Sequence, residues 1–233
     1  MLRLLLVSFH AASAGAILFG FYWTHLIGML SLAGIAKMFT LWTACALVVY
    51  FLACVVEDLV RSGSSFSKTL RSLLSDFFHL TFIMSVATVI LFWSIYLLNP
   101  ENMVPKGFYY PDGLNHIHHT LPLVIVLIEM IVVRSRTDLL DGFWTRKFYL
   151  ICVVPVIYLS LTGLTRYLKG TFPYPFMQAW GVVEFTIFYV FATTLAIFMH
   201  YVVYWFVNAV KKLPLKEIGL AIIDTELNFE IIE

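Results

Sequence analysis

Three histidines in four residues form the part of the sequence best equipped for chemistry. His116, His118 and His119 follow Asn115 at the start of an apolar segment. On a helix, His116 and His119 share a face and His118 points elsewhere, because positions three apart are neighbours. An imidazole can act as a general base or as a metal ligand. A metal site needs further ligands, but His79 and His200 are predicted on the cytoplasmic side of their spans, away from this cluster, so no metal and no cofactor are predicted.

Thr40 is the hydroxyl that could work with this cluster. It stands at the entry to another apolar segment, in the stretch Lys37-Met38-Phe39-Thr40. A threonine at a helix start is commonly a cap or bonds back to its own helix. In a six-span topology, however, Thr40 and His119 both lie about one turn inside the same leaflet. A hydroxyl and an imidazole at matching depth are the minimum for a nucleophile and its general base.

Further polar residues are candidates for binding a substrate, because ionisable groups are costly in a span and often mark function. Glu129 follows His119 by ten residues, about 15 Å along a helix, so it pairs with another helix or with the carboxyl end of a ligand. Arg166 either snorkels to the headgroups or binds a carboxylate. Asn115 and His116 are candidate donors to charge that develops on a carbonyl oxygen.

The composition places these residues in a membrane. The 233 residues are 61% hydrophobic and only 12% charged, with a mean hydropathy of +0.89, whereas a soluble domain is about 25% charged. Since about 20 apolar residues cross a bilayer, six largely uncharged windows are predicted to span it: 2–29, 38–56, 77–98, 116–133, 148–165 and 182–207. We therefore predict an all-α, polytopic bundle of about six transmembrane helices, with residues 1–210 as the membrane domain and 211–233 as a tail.

The basic residues predict the orientation, because Lys and Arg beside helix ends resist translocation. One side carries eleven of them, Arg3, Arg61, Lys68, Arg71, Arg134, Arg136, Arg146, Lys147, Lys211, Lys212 and Lys216, and the other carries four, Lys37, Lys106, Arg166 and Lys169. This asymmetry places both termini and the tail in the cytoplasm. A net charge of +1 lacks the basic footprint of nucleic-acid binding, so the expected partners are the membrane and a lipid substrate. Protein partners are not indicated.

Five short motifs carry a resemblance to a known family. They are Lys37-Met38-Phe39-Thr40, Phe92-Trp93-Ser94-Ile95-Tyr96 followed by Pro105-Lys106, Leu114-Asn115-His116-Ile117-His118-His119-Thr120, Leu127-Ile128-Glu129-Met130 and Tyr174-Pro175-Phe176. In these motifs, over about 35–180, the chain resembles the androgen-induced protein family. The resemblance implies a carboxylic ester hydrolase that cleaves fatty acid esters of hydroxy fatty acids, with Thr40 as nucleophile and His119 as base. His118 stands where the family commonly has an apolar residue, so it stays an alternative to His119.

Two other classes of function remain open alongside the hydrolase. In a small-molecule or lipid binder or transporter, His119, Glu129 and Arg166 would line the path. A regulatory membrane protein would act through its cytoplasmic loops without catalysis. For all three we expect an integral multi-pass protein of the endoplasmic reticulum or the plasma membrane.

Overall fold

The structure is a computed structural model that describes residues 2–28, 37–60, 65–104 and 110–210. Its helices are α1 (Leu2–Leu26), α2 (Phe39–Leu59), α3 (Ser65–Leu98), α4 (Asp112–His119), α5 (Leu121–Ile128), α6 (Arg136–Leu140), α7 (Phe148–Lys169) and α8 (Val182–Val210). Single turns of 3-10 helix lie at Pro100–Asn102 and Pro175–Met177, and π-turns lie at Glu129–Val133 and Phe143–Lys147. Within the described ranges there is no strand. The predicted tail, 211–233, and Pro105-Lys106 lie outside them.

Five helical segments are long and apolar enough to cross a membrane: Leu2–Leu26, Phe39–Leu59, Ser65–Leu98, Phe143–Lys169 and Val182–Ala209. The segment predicted as a single fourth span consists of two pieces, Asp112–His119 and Leu121–Val133, which meet at 42° and together could form a sixth span. The prediction of an all-α, polytopic membrane bundle is therefore confirmed. The helix that contains the predicted span 77–98 begins at Ser65, before the apolar window.

Pro122 explains why the fourth span is broken. Proline has no backbone N–H, and its ring clashes with the carbonyl four residues earlier, which here belongs to His118. Thr120 leaves the helical conformation with φ −126°. The Trp93 indole N–H then lies 3.2 Å from both the His119 carbonyl oxygen and the Thr120 hydroxyl, so that polar groups at the break keep a partner in the apolar surroundings. The break leaves His119 as the last residue of α4.

Helix α2 lies at the centre of the bundle, between α1 and α3. Leu47, Tyr50, Phe51 and Cys54 are completely buried. They follow the i, i+3, i+4, i+7 pattern expected for the core-facing stripe of a helix. Helix α7 packs against α8. Because α2 is 21 residues long, the polar residues near its two ends lie in two separate regions of the bundle.

Candidate functional site

An apolar cavity of ≈ 100 Å³ lies beside the N-terminus of α2. Residues of α2, α3, α7 and α8 and of the Pro175–Met177 turn form its wall. The hydroxyl groups among its lining residues belong to Thr40, Thr88, Tyr158, Thr162 and Tyr174. No charged side chain of the described residues lines it. This chemistry suits a hydrocarbon chain with one weakly polar group.

Thr40 is the second residue of α2, and it is half-buried at the cavity. Met38 provides no side-chain cap to this helix. Instead, the Phe39 N–H donates to the hydroxyl oxygens of Tyr158 and Tyr174, at 3.1 Å and 3.0 Å. The N-terminus of a helix carries partial positive charge from its aligned peptide dipoles. Negative charge that develops on or near the Thr40 oxygen is therefore stabilised at this position.

His119 is buried, and its ring stacks on Phe92 with a centroid distance of 3.4 Å and an interplanar angle of 8°. Its Nδ1 lies 3.0 Å from the backbone oxygen of Asn115 and 2.8 Å from that residue's Oδ1. A backbone carbonyl oxygen can only accept, so Nδ1 carries the proton and Nε2 keeps its lone pair. His119 is thus held in the tautomer that a general base requires.

Phe92 connects the two predicted catalytic residues. It lines the cavity together with Thr40, and it stacks on the His119 imidazole. Among the described residues, no hydrogen bond joins Thr40 to His119. Catalytic hydrogen bonds are often long in an unliganded protein and tighten only when substrate is bound. The structure therefore relates the two residues through the cavity wall, which contains Thr40 and Phe92, and does not pair them directly.

The other two histidines of the cluster face elsewhere. Nε2 of His118 lies 2.9 Å from the Thr24 hydroxyl of α1, and a Cβ added at Gly20 of α1 would lie 3.3 Å from the His118 ring. His116 is exposed, and its Nδ1 lies 3.1 Å from the Thr120 hydroxyl. None of the three histidines lines the cavity itself. His119 is favoured over His118 as the base because its ring stacks on Phe92, a residue of the cavity wall.

Asn115, predicted as a donor to substrate, contacts His119 through both of its oxygens. An Asn115→Ala variant keeps the backbone acceptor and loses the side-chain one, so the imidazole keeps its tautomer but loses part of its alignment. We expect ester hydrolysis to show a kcat lowered about 10- to 100-fold, the range for a slightly misplaced catalytic group, with KM unchanged. Asn99→Ala, in an exposed turn, is the matched control. Equal kcat values in the two variants would show that the Asn115 side chain does not orient the base.

Glu129 belongs to a second polar region, a buried network that joins α1, α2 and the π-turn. Its Oε1 accepts from the Tyr50 hydroxyl at 2.6 Å and from Arg134 Nε at 2.8 Å. Its Oε2 lies 3.0 Å from His10 Nε2, and His10 Nδ1 lies 2.6 Å from an Asp58 carboxylate oxygen. Because each nitrogen of His10 faces a carboxylate, the imidazolium form, with two N–H donors, satisfies both contacts.

This network is separate from the cavity. Tyr50 follows Thr40 by ten residues of α2, about 15 Å along the axis, and Glu129 is absent from the cavity lining. Ligand-type atoms of His10, Cys54 and Glu129 lie within 4.8 Å of one another, a spacing that a metal ion could use. The Arg134 guanidinium already contacts the Cys54 sulfur at 3.0 Å and Glu129, so a cation would have to displace it. The geometry favours ion pairs of Glu129 with Arg134 and with His10, which connect the π-turn to α1.

Arg166 lies near the end of α7, outside the cavity lining. Its Nη1 donates to the Gly170 carbonyl, and its guanidinium lies 5.1 Å from the centre of the Phe172 ring. Basic side chains near a helix C-terminus commonly bond the last carbonyls in this way. A guanidinium has five N–H donors, so this contact leaves others for a carboxylate.

Sequence reasoning missed three residues at the cavity: Phe92, Tyr158 and Tyr174. Phe92 and Tyr174 occur in the motifs that carry the family resemblance, and this occurrence could have marked them as candidate site residues. No sequence pattern indicates that Tyr158 and Tyr174 meet Phe39, since they are 119 and 135 residues away along the chain.

The fold and the site together define a class: a polytopic membrane protein that holds a hydroxyl group in an apolar cavity near a buried imidazole. The chain belongs to the FAR-17a/AIG1-like protein family, whose family profile matches residues 5–209.

Two curated relatives are similar to the chain. The human androgen-induced gene 1 protein is 30% identical over 164 residues, which cover 65% of this chain and 67% of that protein. The androgen-dependent TFPI-regulating protein of Mesocricetus auratus is 30% identical over 106 residues. This second match covers 42% of the chain and spans less than half, 45%, of the relative. No solved structure matches the chain.

Proposed function

We propose that the protein is an intramembrane carboxylic ester hydrolase that cleaves fatty acid esters of hydroxy fatty acids. The observation that carries the proposal is the position of Thr40 at a helix N-terminus in the wall of an apolar cavity, while the base-form imidazole of His119 stacks on Phe92, another residue of that wall. The resemblance of the chain to the androgen-induced protein family, through the motifs described above, supplies the proposed substrate class.

The reaction begins when Nε2 of His119 takes the proton of the Thr40 hydroxyl. The threonine oxygen adds to the ester carbonyl carbon, and a tetrahedral oxyanion forms. When this intermediate collapses, the alkoxide of the hydroxy fatty acid leaves and takes the proton from Nε2, so that an acyl-threonine remains. A water molecule then gives a proton to Nε2 and attacks the acyl carbon. A second tetrahedral intermediate forms. When it collapses, the bond to the Thr40 oxygen breaks, Nε2 returns the proton to that oxygen, and the fatty acid is released.

The cavity supports an apolar ester as substrate. Its wall of Leu, Ile, Met and Phe side chains favours methylene groups, each of which gains about 0.8 kcal/mol on burial. We place the ester bond and the neighbouring methylene groups in the cavity, and the rest of both chains between the helices and in the bilayer. Arg166 remains the predicted partner of the free carboxylate, and Asn115, His116 and Glu129 the predicted substrate contacts, of which the geometry favours none.

The orientation and location complete the proposal. With both termini in the cytoplasm, the ends of α2 and α4 that carry Thr40 and His119 lie toward the opposite leaflet. The helix bundle is an integral multi-pass protein, which we assign to the endoplasmic reticulum or the plasma membrane on the basis of its lipid substrate.

Labelling with a fluorophosphonate tests the proposal, because the probe reacts with an activated hydroxyl. We expect purified protein in detergent to release both products from a fatty acid ester of a hydroxy fatty acid, measured by mass spectrometry. We also expect one probe adduct, on the peptide that contains Thr40. Binding of the ester without hydrolysis or labelling would contradict a hydrolase and favour the binder or transporter. An adduct on another hydroxyl would exclude Thr40 as the nucleophile.

A further inference from the structure

We propose that the Tyr174 hydroxyl donates a hydrogen bond to the oxyanion that forms when Thr40 attacks the ester. This inference rests on the proposed hydrolase function and adds one catalytic residue to it. The turn that carries Tyr174 joins α7 to α8, so the residue comes from a different part of the bundle than either member of the predicted pair.

The position of Tyr174 is the first argument. It lines the same cavity as Thr40, and its hydroxyl oxygen accepts from the Phe39 N–H at 3.0 Å. The side-chain hydroxyl and the backbone N–H of Thr40 both face this phenolic oxygen. A carbonyl group that reacts with the Thr40 oxygen therefore lies near the Tyr174 hydroxyl as well.

The positions of the protons are the second argument, because two tyrosine hydroxyls meet at this helix start. The Tyr158 O–H donates to the Lys37 carbonyl at 2.8 Å, so its proton has a backbone acceptor. Among the described residues, the Tyr174 O–H donates to no carbonyl group, and its hydroxyl shares hydrogen bonds with the hydroxyls of Tyr158 and Thr40. Its oxygen is an acceptor for the helix N-terminus, and its proton has only neutral hydroxyl acceptors among those residues in the unliganded site. An oxyanion formed at Thr40 is a stronger acceptor than a neutral hydroxyl, so the Tyr174 proton turns to it.

The local electrostatics make this hydroxyl a good donor. Hydrogen bonds in a chain polarise one another, so accepting an N–H at its oxygen strengthens the donation from its own O–H. The positive end of the helix dipole acts in the same direction. Burial, in the turn outside the membrane spans, raises the pKa of the Tyr174 phenol, which keeps the proton on its oxygen at neutral pH.

In the reaction, Tyr174 changes no covalent bond. As the Thr40 oxygen bonds to the carbonyl carbon, the π electrons move to the carbonyl oxygen, and the Tyr174 O–H donates to that oxygen while keeping its proton. Nε2 of His119 holds the proton that came from Thr40. When the carbonyl re-forms, the hydrogen bond weakens and the leaving alkoxide takes the proton from Nε2. The same contact serves the second tetrahedral intermediate, formed by water.

A purely structural role is the rival explanation, since Tyr174 also caps α2. Loss of a cap lowers stability and moves Thr40 slightly. Loss of an oxyanion donor acts on the transition state alone, which lowers kcat and leaves substrate binding unchanged. Measurements of binding to the ground state and to an analogue of the transition state therefore separate the two roles.

Tyr174→Phe keeps the ring and removes the hydroxyl. We expect kcat for the fatty acid ester to fall about 100- to 1,000-fold, the usual effect of losing one oxyanion donor, with KM unchanged. Affinity for a trifluoromethyl ketone analogue of the substrate, which forms a tetrahedral oxyanion on Thr40, should fall by a similar factor. Affinity for a non-hydrolysable ether analogue should stay the same. Tyr204→Phe, on α8 beside Phe143 and Trp144, is the matched control with unchanged kcat.

The outcomes separate this inference from the proposed function. If the wild type hydrolyses the ester and Tyr174→Phe keeps its kcat, the Tyr174 inference is wrong and the hydrolase stands. If kcat falls but affinity for ether and ketone analogues weakens equally, the role of Tyr174 is structural. If the wild type does not hydrolyse the ester, the proposed function fails and the inference with it.

A second variant covers the case in which Tyr174→Phe does not fold. Incorporation of 2,3-difluorotyrosine at position 174 keeps the hydroxyl and the cap and makes the phenol more acidic. A stronger donor should raise kcat, since rates follow donor acidity in such series. An unchanged kcat with unchanged stability would overturn the proposal.

Discussion

Replacing Thr40 with alanine is expected to lower kcat for the fatty acid ester by about 10⁴-fold or more, the loss typical of removing a nucleophile. The hydroxyl is the atom that bonds to the carbonyl carbon, so no acyl intermediate can form without it. His119→Ala should cost a similar factor, because the hydroxyl is weak without a base. Thr40→Ser should retain measurable activity. Steady-state kinetics on detergent-purified protein, with folding checked by thermal unfolding, measures each value.

Two controls match these substitutions. Thr186→Ala removes a threonine whose hydroxyl bonds back to its own helix, and His25→Ala removes an exposed histidine of α1. Both should keep the wild-type kcat.

The double variant, Thr40→Ala with His119→Ala, gives the sharpest test. Residues that act as one unit are not additive, so we expect the double variant to be no slower than either single one. Multiplied losses would mean that the two residues act independently. Activity that survives Thr40→Ala but not His119→Ala would point to a water bound at the histidine cluster.

The transmembrane bundle could be predicted from the sequence because hydropathy depends on residue type alone. Six apolar windows were enough to indicate the number of spans. The break between His119 and Leu121 could also have been read, because Pro122 removes an N–H and crowds the His118 carbonyl. A hydropathy average ignores backbone hydrogen bonding, and so it treated 116–133 as one helix.

Parts of the site follow from local spacing and others do not. Asn115 and His119 are four apart on one helix, so their contact is local. Arg134 follows Glu129 by five residues, a spacing that does not bring side chains together in an α-helix. The π-turn at Glu129–Val133 brings them to 2.8 Å, and no residue pattern predicted that turn.

The contacts at the start of α2 lie at the limit of sequence reasoning. Thr40 could be singled out because it carries a hydroxyl group at the same predicted membrane depth as the imidazole of His119. The tyrosine hydroxyls that replace a side-chain cap at Met38 come from distant segments, and only packing of α7 and its following turn brings them there. Propensity and spacing describe one segment at a time, so a cap shared among three segments requires the structure.

The second large effect concerns stability. Glu129→Ala is expected to lower the free energy of unfolding by about 3–5 kcal/mol, the cost of breaking a buried ion pair from one side. Glu129 is completely buried, and Arg134, of which 4% is exposed, loses its 2.8 Å carboxylate partner in this variant. The Tyr50 hydroxyl and His10 lose an acceptor as well. Unfolding by a graded increase of sodium dodecyl sulfate in mixed micelles measures the change.

A compensating double variant separates the loss of the pair from the presence of an unpaired charge. Glu129→Leu with Arg134→Met replaces both partners by apolar side chains of similar size, which is often neutral or better in a buried site. We expect the double variant to recover the part of the free energy that comes from the unpaired Arg134 charge, while Tyr50 and His10 remain without their acceptor. Glu101→Ala, in an exposed turn, should stay within about 0.5 kcal/mol of the wild type.

The same double variant decides whether Glu129 contacts substrate. If Glu129 serves only to join α1, α2 and the π-turn, the refolded double variant hydrolyses the ester with the wild-type KM, because the network lies about 15 Å along α2 from Thr40. A KM raised about tenfold or more in a variant of normal stability, equivalent to about 1.4 kcal/mol of lost binding, would instead support the predicted contact between Glu129 and the substrate. The stability measurement and the kinetic measurement on one protein thus assign Glu129 to the scaffold or to the site.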